Sequence, residues 1–156
     1  TGADDGTGHR KLTFEDLMRF EDAFDEADMG AEGRNIVLSV KHLTHLRNED
    51  MNLYKEMLKD NQILSFKLHR LATKHLPVFD SVTGTKKAYG AAVGANDTIS
   101  SLAFHKDEVM RADGDLDMFA TLKDPEARAD IIGFQKRGIA MPMRNKGIGA
   151  IYSAKI

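Results

Sequence analysis

The sequence predicts an α+β domain, a mixed sheet with flanking helices. A helical stripe opens the ordered part of the chain, with Phe14, Leu17, Phe20, Phe24 and Ala27 three and four residues apart. Short apolar runs follow at 35–40, 63–69 and 98–105. The last third is β-rich, at 116–120, 130–141 and 147–153, and strands and helices do not alternate as a doubly wound sheet requires.

Residues 1–11 hold three glycines and no apolar residue larger than Ala3, which predicts a flexible lead ahead of a single domain over 12–156. Thr13 stands where an N-cap belongs, Glu15 and Asp16 suit the positive first turn, and Gly30 suits a left-handed stop. The branched run 35–40 behind Gly33 predicts a buried strand. Leu43 and Leu46 mark a turn or two of helix, and Asn48 is placed to cap a second helix bearing Met51, Tyr54, Met57 and Leu58. In 63–69, Leu64, Phe66 and Leu68 alternate with polar residues, as in a strand with one wet face. The Gly- and Ala-rich stretch 85–98 predicts a loop around a short strand, and 106–112 a short helix. Pro125 ends the segment at 116–120, and Pro142 with a basic turn separates the last two strands.

A chain of 156 residues makes one ordinary domain. At this length roughly 70% of the unfolded surface is buried, so no staples are needed. The 22 Lys and Arg nearly cancel the 24 Asp and Glu, for a net charge of −2, which argues against a general nucleic-acid or membrane-surface binder. The absence of cysteine excludes a disulfide framework, a thiolate metal site and a cysteine nucleophile. No apolar run approaches the ~20 residues of a spanning helix, and the chain does not start as a signal peptide does. It also lacks an initiator Met, so it is expected to be processed or a piece of something longer.

Few residues point to chemistry. Asp113, Asp115 and Asp117 invite a calcium loop, but Met118 and Asp124 stand where an EF-hand has Gly and Glu, so a solvated acidic turn is expected. His42 and His45, three apart on a helix, bring two imidazoles to one face. A metal site there needs a further ligand from Asp50, His69, His75 or His105. The competing reading is a pair of polar helix-face histidines. Thr1 resembles an N-terminal nucleophile only if it begins a buried strand, and it opens a glycine-rich lead instead. No phosphate loop, dinucleotide fingerprint or nucleophile elbow occurs. A basic cluster, Arg128, Lys136, Arg137, Arg144 and Lys146, lies across the final strands. It reads as a phosphate-facing patch, as ion-pair partners for the acidic first half of the chain, with charge complementarity between copies, or as a solvated hairpin.

In order, these segments resemble the major capsid proteins of tailed bacteriophages and prophages, those with the Hong Kong ninety-seven-type fold. The carriers are the capped helix LTFEDLMRFEDAFDEADM at 12–29 leading into Gly33–Ser39, and the short helix HLTHL at 42–46. SSLAFHKDEVMRA at 100–112 follows a Gly-rich stretch, and the closing strands lie within 124–152. The resemblance implies a capsid A-domain with part of the P-domain, and places the family's N-terminal arm, extended loop and spine helix upstream of this chain. It further implies a structural, non-enzymatic subunit without cofactors, located in the virion and assembled in the bacterial host cytoplasm. Its partners would be copies of itself in the capsomers of an icosahedral head, scaffolding or portal proteins, and at most non-specific packaged DNA, with no membrane. The alternative is a small metal-dependent hydrolase or metal-binding module built on His42 and His45.

Overall fold

The computed structural model describes residues 2–124, 129–144 and 146–156. It is an α+β structure divided into two units, a body of Thr1–Glu108 with Arg144–Ile156, and a ribbon of Val109–Met143.

The body opens with helix α1, Phe14–Glu26. Thr13 caps it: its hydroxyl accepts the Asp16 N–H, and the Asp16 carboxylate reaches back to the Thr13 N–H, which satisfies two end groups reciprocally. The helix does not run on to Gly30. Ala27 is its C-cap, and Asp28, a residue type that tolerates the left-handed region, makes the turn at φ 59°.

Strand β1 (Arg34–Leu38) follows, and helix α2 (Val40–Glu49) begins two residues later. The apolar run at 35–40 therefore splits: the Ser39 hydroxyl accepts the His42 N–H and starts the helix, leaving Val40 exposed. Helix α2 passes through Asn48. The cap of α3 (Met51–Asp60) is Asp50, whose carboxylate accepts the Asn52 and Leu53 N–H groups and so satisfies more than an Asn side chain two residues earlier can.

The segment 63–69 is also divided. Strands β2 (Gln62–Ile63) and β3 (Phe66–Arg70) form a hairpin turned at Leu64, φ 51°, so Leu64 points away from the core that Phe66 and Leu68 enter. Strands β4 (Val78–Asp80) and β5 (Asp97–Ile99) form a separate antiparallel pair. Ser100 breaks the run 98–105. Both its N–H and its hydroxyl donate to the Pro77 carbonyl, and β6 (Ser101–His105) continues in the main sheet. The helix predicted at 106–112 shrinks to a 3-10 turn at Lys106–Glu108, because Val109 and its successors pair as strand.

The main sheet has the order β2-β3-β1-β6-β9, with β9 at Ile148–Ile151. Strand β1 runs parallel to β3 and antiparallel to β6, which β9 follows antiparallel. Leu17 and Phe24 of α1, Leu43 and Leu46 of α2 and Met57 of α3 join Ile36, Leu38, Phe66, Leu68 and Ala103 of the strands in one core. Phe24 meets the Phe66 ring edge-on at 5.2 Å. The buried Arg34 guanidinium lies over both rings, with bonds to Asp25, Ser65 and the Met29 and Gly30 carbonyls.

The lead, expected to be flexible, carries its own set of bonds. Asp5 N–H donates to His9 O and Arg10 N–H to Ala154 O, both at 2.9 Å, and the Asp4 and Asp5 carboxylates accept N–H groups of Gly6, Thr7 and Gly8.

The ribbon is β7 (Val109–Asp124) paired antiparallel with β8 (Ala129–Pro142), bulged between Asp113 and Leu116. Asp113–Asp117 is therefore strand with a bulge instead of the turn expected there. Gly114 lets the strands approach closely at this point, where a Cβ would lie 3.2 Å from the Arg137 carbonyl oxygen.

Candidate assembly surface

The histidine pair is part of the scaffold. Both residues sit on the inner face of α2, which three-residue spacing brings to one side. They are buried, neither solvated on a helix face nor gathered for a metal. His42 Nδ1 lies 2.6 Å from Ser101 Oγ and Nε2 lies 3.2 Å from Ser153 Oγ, so both nitrogens are already engaged. Ser101 Oγ also accepts the Ser39 N–H at 2.9 Å. A neutral ring satisfies the whole set, with Ser101 donating to Nδ1 and Nε2–H donating to Ser153. Burial, then the neighbouring His45 and Lys41, lower the His42 pKa from 6.5 to about 4.

His45 Nδ1 accepts the Leu12 N–H at 3.2 Å, and Nε2 faces Asp5 Oδ2 at 3.8 Å. Burial pushes its pKa down, Asp5 pulls it back up, and Lys41 and Lys11 add to the lowering. Burial alone would raise the Asp5 pKa. Hydrogen bonds from Lys41 and Thr7 outweigh it and hold this carboxyl well below the usual carboxylate range. Of the four candidate third ligands, His75 lies in a 3-10 turn at Thr73–His75, and the other three are occupied elsewhere. Asp50 caps α3, His69 bonds Asn35, and His105 bonds the Glu32 carbonyl. Among the described residues, no three His, Asp or Glu side chains are grouped to hold a metal ion.

The ribbon presents a different situation. Its register puts Leu116, Met118 and Ala120 of β7 beside Lys136, Phe134 and Ile132 of β8 on one face. The other face carries Met110, Met141 and Ile139 near the body end, then Asp117 and Gln135, then Phe119 and Ile131. Among the described residues of Val109–Met143, eleven large apolar side chains are exposed, Leu116, Met118 and Phe134 by 63–66%. Two strands alone in water are marginal, and a surface this apolar on both faces is the candidate interaction surface of the chain. The alternation of Leu116 with Met118 and of Ile132 with Phe134 is visible in the sequence. What the sequence did not reveal is that, among the described residues, these segments pair only with each other.

The predicted basic residues divide between the units. Lys136 and Arg137 lie exposed on β8, and Lys136 Nζ stands 3.9 Å from Asp113 Oδ2, which also takes the Arg111 guanidinium at 2.8 Å. Arg144 belongs to the body. Its guanidinium grips the buried Glu108 carboxylate with both Nε, at 2.9 Å, and a terminal nitrogen, an arrangement that raises the arginine pKa. Lys146 is exposed at the approach to β9, and Arg128, like Thr1, lies outside the described residues.

No family model matches the sequence, and no curated protein matches it. A chain in the capsid structure of the cyanophage P-SCSP1u superposes on 92% of this chain with a TM-score of 0.61 at 19% sequence identity. The match takes in 46% of that chain, so this chain spans about half of its length. The fold is phage capsid-like, with a mixed sheet and three helices.

Proposed function

We propose that this chain is a structural, non-enzymatic part of a phage or prophage major capsid protein of the Hong Kong ninety-seven type, whose copies associate into the capsomers of a head. On this reading the body is the A-domain and the ribbon belongs to the P-domain. The family's arm, extended loop and spine helix lie upstream in a longer natural chain, and the protein is located in the virion. Scaffolding or portal proteins and non-specific packaged DNA are its further partners, with Lys136 and Arg137 as candidate contacts.

The carrying observation is the exposed apolar ribbon on a capsid-like fold. A second strand pair or a helix laid over Leu116, Met118, Phe134 and Ile132 removes from water the greater part of four large side chains, each contributing about 1 kcal/mol or more. The histidine alternative has no support in the geometry, because both His42 nitrogens are engaged by serines.

Sedimentation across a wide concentration range, with electron microscopy of the heavy fractions, tests the reading. Concentration-dependent rings or shells are expected. A chain that stays monomeric and native at millimolar concentration refutes self-association. Intact mass from the native source tests the expected upstream segment.

A further inference from the structure

The main sheet ends on two unlike edges. Two-residue β2 closes one of them, while β9 lies open along its outer side. His105 N–H donates to Gly147 O at 2.8 Å, and the antiparallel register then turns the backbone groups of Gly147, Gly149 and Ile151 toward β6. The alternate residues Ile148, Ala150 and Tyr152 turn theirs outward, and among the described residues those groups have no partner. Farther along, the same row is in use: Arg10 N–H donates to Ala154 O at 2.9 Å and Ile156 N–H to Gly8 O at 3.0 Å. The lead thus begins a sixth strand and stops short of Tyr152.

Natural sheet edges are blunted by charge, proline or a bulge. The stretch Ile148-Gly149-Ala150-Ile151-Tyr152 contains no charged residue and no proline. Cations flank it. A groove of about 410 Å³ runs beside α1 and is lined by Arg10, Lys11 and Arg19. Glu15 holds Arg19 at 2.6 Å, and Asp16 is used in capping α1. Arg10, Lys11 and Lys146 have no ion-pair partner among the described residues, so the edge favours an acidic strand.

We propose that β9 receives a sixth strand from a second copy of this chain, and that this strand is the acidic outer edge of β7 around Asp113–Phe119. The inference rests on the self-association proposed above. Among the described residues strand β7 pairs only with β8, which leaves its other side open, and Asp115 and Asp117 are exposed without an ion-pair partner. Joining β9 of one copy to β7 of the next is a head-to-tail contact, the kind that closes rings.

Titrating an end-blocked peptide of residues 111–121 into the isotope-labelled full chain tests the edge directly. Amides of Ile148, Ala150 and Tyr152 are expected to shift and to exchange more slowly, while Gly149 and Ile151 change little. A peptide with Lys for both Asp115 and Asp117 should bind at least tenfold more weakly. No response at millimolar peptide, or one that ignores the alternation, overturns the proposal.

In sedimentation, Ala150→Pro removes an outward N–H and should weaken association at least tenfold. An Arg10→Glu/Lys11→Glu chain mixed with an Asp115→Lys/Asp117→Lys chain should recover it. Wild-type-like association by Ala150→Pro, or no recovery in the swapped mixture, overturns the β9–β7 pairing and leaves self-association standing. A wild-type chain that binds the peptide and stays monomeric overturns self-association, and with it the second copy as occupant.

Discussion

Acidification should destabilise this protein through one buried ring. In the folded chain His42 is neutral between Ser101 and Ser153, with its pKa lowered from 6.5 to about 4, whereas the unfolded chain takes up the proton at the ordinary value. Between those limits the unfolded state binds more protons, so stability is full above pH 6.5 and falls as the pH drops toward about 4. At about 1.4 kcal/mol per pH unit, that gap costs about 3 kcal/mol, a large part of the stability of a domain this size. His45, also lowered, adds a loss of the same sign. Asp5, held below its ordinary value of 3.8, acts only in stronger acid, where its stabilisation is lost as the carboxylate protonates. Urea unfolding followed in steps down this range should give a falling free energy, and His42→Gln should flatten the fall, with His45 accounting for the remainder. A His42 ring resonance titrating near 6.5 in the folded protein refutes the reasoning, as does an unchanged slope in His42→Gln.

Three further perturbations follow from the packing. Arg34→Lys should cost about 2–3 kcal/mol in denaturant unfolding, since a single ammonium cannot serve Asp25, Ser65 and two carbonyls at once. Gly147→Ala should cost about 2 kcal/mol in the same assay: the residue lies at φ 63°, and a Cβ would meet Met29 Sδ at 2.7 Å and Glu108 Cγ at 3.0 Å. Replacing both Met118 and Phe134 with serine should weaken self-association at least tenfold by sedimentation and leave the thermal midpoint of the body unchanged, since both side chains are already exposed.

Much of the body was legible because its signals are local. The period of α1, the Thr13 cap and the branched run at Ile36–Leu38 each rest on residues within a few positions of one another. The misreadings concern competition between neighbours. Ser39 captured Val40 for a helix, Asp50 served as a cap in place of Asn48, and Leu64 turned a predicted strand into a hairpin. The fate of the histidines depended on tertiary structure: Ser101 and Ser153 lie 59 and 111 residues from His42. No spacing rule reveals such a partner. The ribbon was legible as two apolar segments, but that no third strand joins it among the described residues is a property of the whole topology.

The Glu108–Arg144 pair has a consequence for how this fold can be rearranged. The carboxylate precedes the first residue of the ribbon and the guanidinium follows the last, so thirty-five residues leave and re-enter the body through one clasp. The ribbon is therefore a cassette. Excising Val109–Met143 and bridging the clasp with a few glycines and serines leaves every core residue of the body in place. The apolar ribbon is thereby separable from the body's core, and a different hairpin can take its place between the same two residues.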